Sequence, residues 1–364
     1  MVWSFRKILV AGLLVLMPAI EGCSYIGPNS LNIERRRYND VVQKTNDEEL
    51  LLNLVRMRYN DRPSFLSVNS ITSSLSLSTS ATASKSIASA GAAVSTIVRS
   101  LTPSLTIRDS PTISYSPLQG DVYVRDFLTP ISPKLMALLG SSGWPLGITL
   151  KLCVSQMNNI LNAPSASRPS PSMAPDFDQF DELIQNLNEM GHDVNLGYSV
   201  LDKKVQPSLR FSNGVLKTPA GKNVARLLQL APGINEFALS ANDWLGKKNV
   251  INIQTRSLMG VLFMLSHIVD VPVEHLEKGW VNKTITSGGK DFDWDLLLNG
   301  LFKVSVNSER PSDTEVAVEY KGKWFSIAQD DIKTKITLTM LSQLLAMLSG
   351  NDSTKAPVLT IPVQ

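Results

Sequence analysis

Only two cysteines and three histidines occur among the 364 residues, and each shortage removes a class of function. None of His192, His267 and His275 belongs to a His-Glu-x-x-His pattern, and no cysteine pair assists them, so a zinc centre finds no ligand set. Charge of one sign is also scarce. A formal net charge of +3 gives little of the clustered basic surface that counterion-release binding needs, so nucleic acid is not an expected partner. Aromatics make up 7% of the chain, and no Trp or Tyr lies between Leu66 and Ser114. What is not scarce is apolar material. At 43% hydrophobic, the chain has enough to build real cores, and its length calls for two or three domains.

The first residues read as a lipoprotein export signal. Arg6 and Lys7 form a short basic region, followed by the apolar run Ile8–Ala19 and then Ile20-Glu21-Gly22-Cys23. That run falls short of the roughly 17–25 residues of a spanning helix. Cleavage between Gly22 and Cys23, with acylation of Cys23, is the expectation, although Glu21 is unusual at its place. The anchored protein then never crosses the membrane that holds it. Ser24 follows the cysteine where Asp acts as an inner-membrane retention signal in enteric-type bacteria, so the expected location is the outer membrane, on the periplasmic side. With Cys23 acylated only Cys153 remains, which excludes an intramolecular disulfide. Cys153 sits in an apolar stretch and reads as a buried, inert thiol.

The fold class expected is α+β: N-terminal helices with a long alternating Ser/Thr-rich β-hairpin, then a mixed α+β C-terminal domain. After the leader (1–22), residues 23–45 form a lipidated tether and a first helix, beginning at about Ile33. Thr45-x-x-Glu48 looks like a capping box opening a second helix that stops at Asn60. Residues 46–163 hold this helix, the hairpin (about 66–116) and a helical segment. The hairpin rests on strict alternation. Every even position from Thr72 to Ser84 is Ser or Thr, and the same phase returns from Ser100 to Ser116 with a break at Arg108. Lys85–Thr96 is expected as a long loop or short helix between the two strands, and Pro103 and Pro111 imply an edge or broken pairing. Residues 164–175, with four Pro and four Ser, read as an interdomain linker or exposed loop, and 176–364 as the α+β C-terminal domain. There, Phe177–Leu187 forms an amphipathic helix ended by Gly191. Val194–Leu201 and Ser208–Leu216 are strands, and Ser257–Ile268 a buried helix. Lys321-Gly322 turns a hairpin, Ile332–Leu348 is a long helix and Pro357–Val363 a last strand.

Glu48–Val68, Pro111–Pro133, Arg256–Ser266, Trp324–Met347 and Ala356–Val363 together resemble a group of proteobacterial envelope lipoproteins with no established activity. The resemblance covers most of the mature chain and rests on runs of leucine, aromatics and turn residues. It implies a Gram-negative envelope lipoprotein and brings no catalytic role to any residue.

Local motifs for chemistry are weak. Ser287-Gly288-Gly289-Lys290 matches Ser-x-x-Lys but lies in a glycine turn without companion motifs. Asp291-x-Asp293-x-Asp295 imitates the start of a calcium loop, yet Leu296 replaces the required glycine, and Phe292 and Trp294 read as anchors of a packed turn. His267 reads as a core or helix-end histidine. No catalytic residue, metal ligand or cofactor is expected. The leading functional expectation is a non-enzymatic scaffold or binding component of the envelope, held through membrane lipid at Cys23 and serving an envelope protein partner. One alternative is a subunit of an oligomeric pore or secretion complex, a homo-oligomer built through the 66–116 hairpin. Another is an envelope hydrolase whose carboxylate pair leaves no local signature.

Overall fold

The computed structural model describes residues 36–349, apart from 73–74, 91–93, 110–111, 202, 242–246 and 299. Gly22, Cys23 and the expected last strand Pro357–Val363 lie outside the described residues. The class is α+β, with an N-terminal helix, a long hairpin and a mixed C-terminal part. Two compact units divide the chain: Ser64–Gln119 is one, and the segments on either side of it form the other.

Helix α1 runs unbroken over residues 36–58. Two helices meeting at a capping box were expected; one forms, because the Thr45 hydroxyl donates back to the Val42 carbonyl at 3.0 Å instead of capping. Leu50, Leu51, Leu54, Val55 and Met57 are all buried, and Asn60 ends the helix at φ 57°.

The hairpin unit holds β1 (Leu66–Thr72), β2 (Leu75–Ala90), β3 (Val94–Asp109) and β4 (Thr112–Pro117). β1 pairs with β4 and β2 with β3, both antiparallel. The strands run through Lys85–Ala90 and Val94–Thr96, where a loop or helix was expected. The alternation lapses there, yet the register continues, with Ile87 opposite Ile97, because a ladder already set from Leu75↔Asp109 tolerates Ala and Ser.

In the larger unit, α2 (Gly120–Tyr123) passes into a π-turn (Val124–Leu128), then α3 (Pro133–Ser141) and α4 (Leu146–Cys153). The helical segment expected to reach residue 163 ends ten residues earlier. β5 (Val154–Met157) and β6 (Ile160–Leu161) follow, turned at Asn158 with φ 47°. The remaining elements are α5 (Asp178–Met190), β7 (Val194–Leu201), β8 (Lys204–Phe211), α6 (Pro219–Leu227), β9 (Glu236–Ser240), β10 (Val250–Thr255), α7 (Leu258–Ser266), α8 (Val273–Glu277), α9 (Asp295–Leu298), β11 (Ser305–Asn307), β12 (Thr314–Tyr320), β13 (Lys323–Ala328) and α10 (Ile332–Ser349). Six strands order as β6-β5-β10-β9-β8-β7, antiparallel except for the β9/β10 pair, and β11-β13-β12 make a second, antiparallel sheet. β8 begins four residues before the strand read from the sequence and stops at Phe211, before the turn at Gly214. α3 comes so close to β7 that a Cβ on Gly140 would stand 2.3 Å from the Leu196 carbonyl oxygen. The apolar helix α7 is buried on almost every side, as its composition requires, and is capped by the Ser257 hydroxyl.

Residues 164–175 are not a linker between domains. They lie inside the larger unit, and their carbonyls and hydroxyls are used by the core. The Thr284 hydroxyl donates to the Pro171 carbonyl at 2.7 Å, the Ala174 amide to Ile285 at 2.9 Å, and Ala166 is fully buried. Prolines leave carbonyls with no helix or strand to receive them, and here neighbouring side chains and strands supply the donors.

Beside this segment lies Arg256, only 3% exposed. Its guanidinium donates to the carbonyls of Lys151 (3.0 Å), Leu152 (3.3 Å), Val154, Asn162 and Ala163 (3.4 Å), and to the Ser167 hydroxyl (2.9 Å). Burial lowers its pKa to about 9, which leaves it charged at neutral pH. Arg256→Lys keeps the charge but cannot reach this many acceptors from one point. Each buried acceptor left open costs about 1–3 kcal/mol, so the expected loss is about 3 kcal/mol or more, read as a lower urea midpoint at unchanged slope. Limited proteolysis should also spare residues 164–175 until the whole unit unfolds, and early cleavage there would contradict their inclusion in the core.

Candidate functional site

The residues singled out for chemistry do not converge. Ser287–Lys290 forms an exposed turn closed by the Thr286 hydroxyl, which accepts from the Lys290 amide at 3.2 Å, and Gly289 sits at φ 75°. Asp291 pairs with Lys283 at 2.7 Å, and the Asp293 carboxylate accepts from the Asp295 amide at 2.9 Å, so this acidic run serves a local turn. Trp294 is buried and stacks on His267 with 4.3 Å between ring centroids, which makes it the anchor its sequence implied. Cys153 is completely buried, and desolvation pushes its thiol up to about 12, far from nucleophilic character. His192 is exposed on the turn after α5. Among the described residues no group of three or more His, Cys, Asp or Glu is placed to hold a metal ion.

His267 follows α7, and its Nε2 lies 3.0 Å from the Ala166 carbonyl oxygen. Burial, reinforced by the Arg58 charge, lowers its pKa to about 4. The unfolded chain takes up this proton near pH 6.5 and the folded chain only near 4. Stability contributed by neutral His267 is therefore present above pH 6.5 and lost as pH falls through that window, by about 3 kcal/mol. Urea midpoints measured from pH 7 to pH 4 should fall, and His267→Gln should flatten a large part of that fall.

Sequence reading missed one cluster. The Tyr59 hydroxyl lies 2.7 Å from His275 Nδ1, the Glu274 carboxylate 2.8 Å from Lys323 Nζ, and the Tyr320 hydroxyl donates to Asp61 at 2.5 Å. Lys321, in the β12–β13 turn, pairs with Asp61 at 3.1 Å, and its ammonium lies 5.3–5.6 Å from the ring centroids of Tyr59, Trp280 and Tyr320. Burial raises the Tyr59 pKa to about 12 and lowers that of His275, so a neutral phenol and a neutral imidazole share this hydrogen bond near pH 7. Tyr59 and His275 are 216 residues apart, and no local spacing could have joined them. Each charged group here has a partner inside the cluster, and its chemistry is that of a clamp between the end of α1, α8 and the β12–β13 turn. A polar cleft of about 420 Å³ lined by Lys44, Glu48, Arg310, Ser312 and Glu315 mixes charges of both signs, and Glu315 is already paired with Lys335 at 2.7 Å.

The hairpin offers a surface of a different kind. β2 and β3 pair over sixteen residues each without a register shift, from Leu75↔Asp109 to Ala90↔Val94. Among the described residues they pair with no third strand. Pro103, opposite Ala81, is therefore on an edge, as read from the sequence. Ser78, Ser80, Thr82, Ser104 and Thr106 are exposed, and the Ser80 and Ser104 hydroxyls are 2.6 Å apart across the ladder. Long two-stranded ribbons are at best marginal in water, and their open backbone edges are templates for further strands. No known protein family, curated protein or solved structure matches the chain.

Proposed function

We propose that this chain is an outer-membrane-anchored lipoprotein with its body in the periplasm, acting as a non-enzymatic scaffold or binding component of the cell envelope. The observation that carries the reading is the order of Arg6 and Lys7, the short apolar run Ile8–Ala19 and Gly22-Cys23, with Ser24 after the cysteine. Consistent with a scaffold, four groups that could act as acids, bases or nucleophiles serve the fold. His275 and Tyr59 hold each other, His267 rests on Trp294, and Cys153 is sealed away. Metabolic labelling with a fatty-acid analogue tests the anchor. Wild type should take up label, and Cys23→Ser should not, remaining as unprocessed precursor at the inner membrane. Equal labelling of the two removes the proposal.

A second reading is favoured by the β2–β3 ribbon: a subunit of an oligomeric outer-membrane pore or secretion complex. Its support is a sixteen-residue ladder with two edges open among the described residues, since a second copy presents the same strands and can continue the sheet. Leu77→Asp separates this from a hairpin that packs its Leu/Ala face on protein. Under packing, the lipid-free mature protein should melt lower, because burial of such a side chain is worth about 1.5–3 kcal/mol, while Ser76→Asp leaves the midpoint alone. Under assembly, the lipid-free midpoint holds for both variants, and Leu77→Asp loses the oligomer formed in lipid.

A further inference from the structure

The ladder places two like charges directly across from each other. Lys85 is opposite Arg99, an arrangement that costs stability in water unless an anion lies nearby. Odd-numbered positions share one face of the ribbon. On that face the register runs Leu75↔Asp109, Leu77↔Ile107, Thr79↔Leu105, Ala81↔Pro103, Ala83↔Leu101, and then Lys85↔Arg99. From Leu75 to Ala83 is eight residue steps, roughly 27 Å at strand rise. Apart from Thr79 the residues between the charged ends are apolar. Nine residues per strand, Leu75 to Ala83, is the lower end of the roughly 9–11 that a tilted transmembrane β-strand needs. The even-numbered face carries hydroxyls along the same length, exposed at each of its described positions.

We propose that the odd-numbered face of the β2–β3 ribbon inserts into a bilayer. Its apolar band lies among acyl chains, and the Lys85–Arg99 pair is seated in anionic headgroups on the far side. The idea rests on the assembly reading, because hydrocarbon leaves no open backbone edge tolerable and only closure with further copies of this chain satisfies β2 and β3. Opposed cations that repel in water become an asset at a phosphate layer, where each is attracted and reaches the interface from the end of the band. The position of the pair, and not the alternation alone, sets how deep the ribbon goes.

The test uses the acylated full chain in vesicles of phosphatidylethanolamine and phosphatidylglycerol. Single cysteines at Leu77, Ala81 and Ala83, or at Ser78, Ser80 and Thr82, carry an environment-sensitive fluorophore; acylated Cys23 and buried Cys153 do not compete for it. Labels at the odd positions should be quenched by nitroxide lipids, most deeply near Ala81, and labels at the even positions by an aqueous quencher. Replacing both cations (Lys85→Glu with Arg99→Glu) should reduce the inserted fraction roughly thirty-fold or more, and phosphatidylcholine vesicles should also support less insertion. Equal aqueous quenching at odd and even positions overturns the proposal, as does a doubly substituted chain that inserts as well as wild type. Cross-linking in the same vesicles distinguishes the two levels. Rings without lipid quenching sink the lipid face and spare the assembly reading; a chain that stays monomeric removes the assembly reading, and the insertion that rests on it falls too.

Discussion

One buried cation holds the larger unit together. The Arg256 guanidinium sits where the end of α4, the start of β5, residues 162–167 and the end of β10 meet, and it draws its acceptors from the first three of these. Among the described residues it forms no ion pair. Its charge is balanced instead by carbonyl dipoles, and the Asn162 side chain, donating to the Lys151 and Val154 carbonyls at 3.0 and 2.6 Å, holds two of those carbonyls in place. Desolvating an arginine is expensive, so the arrangement persists only because each direction of the planar fork finds an oxygen. The backbone repeats the tie, with the Arg256 amide donating to Cys153 at 2.7 Å and the Ile131 amide to the Arg256 carbonyl at 2.9 Å. Remove the guanidinium and a helix end, a strand pair and a proline-rich crossing lose their common anchor.

That arrangement also explains what the sequence could and could not disclose. α5, α7, α10 and the β12–β13 hairpin were legible because each follows from a local rule: apolar period, a serine cap, or a two-residue turn in which Lys321 and Gly322 both take positive φ. For residues 164–175 the interdomain-linker alternative fails, because Ser167 and Pro171 find their donors in Arg256 and Thr284, about ninety to one hundred and ten positions away, while six of the twelve residues are exposed as a surface loop would be. Composition reports the absence of a local partner and is blind to a distant one. The Tyr59–His275 pair escaped for the same reason.

The hairpin shows the opposite case. Alternation over Thr72–Ser84 and Ser100–Ser116 was strong enough to declare two strands, yet it was cut short at Lys85, where a charge and several small residues looked like the start of a loop. Pairing carries the strands on to Ala90 and Val94, and only the paired register sets Lys85 against Arg99. A single strand read alone cannot show which residue lies across from it. The larger unit thus answers the Arg256 and Asn162 side chains internally, while among the described residues the ribbon ends its own ladder with two edges open.

Under the assembly reading, the ribbon completes its hydrogen bonding only by meeting further strands at a membrane. Hydrogen exchange of the β2 and β3 amides, compared between lipid-free mature protein and the same protein in vesicles, tests it most directly. In an isolated two-stranded ladder alternate amides point outward, so half of them should exchange rapidly in water and become protected in vesicles, while α7 and β10 stay protected throughout. Outward amides already as slow in water as those of β10 would show that protein covers the ribbon, and would contradict the account.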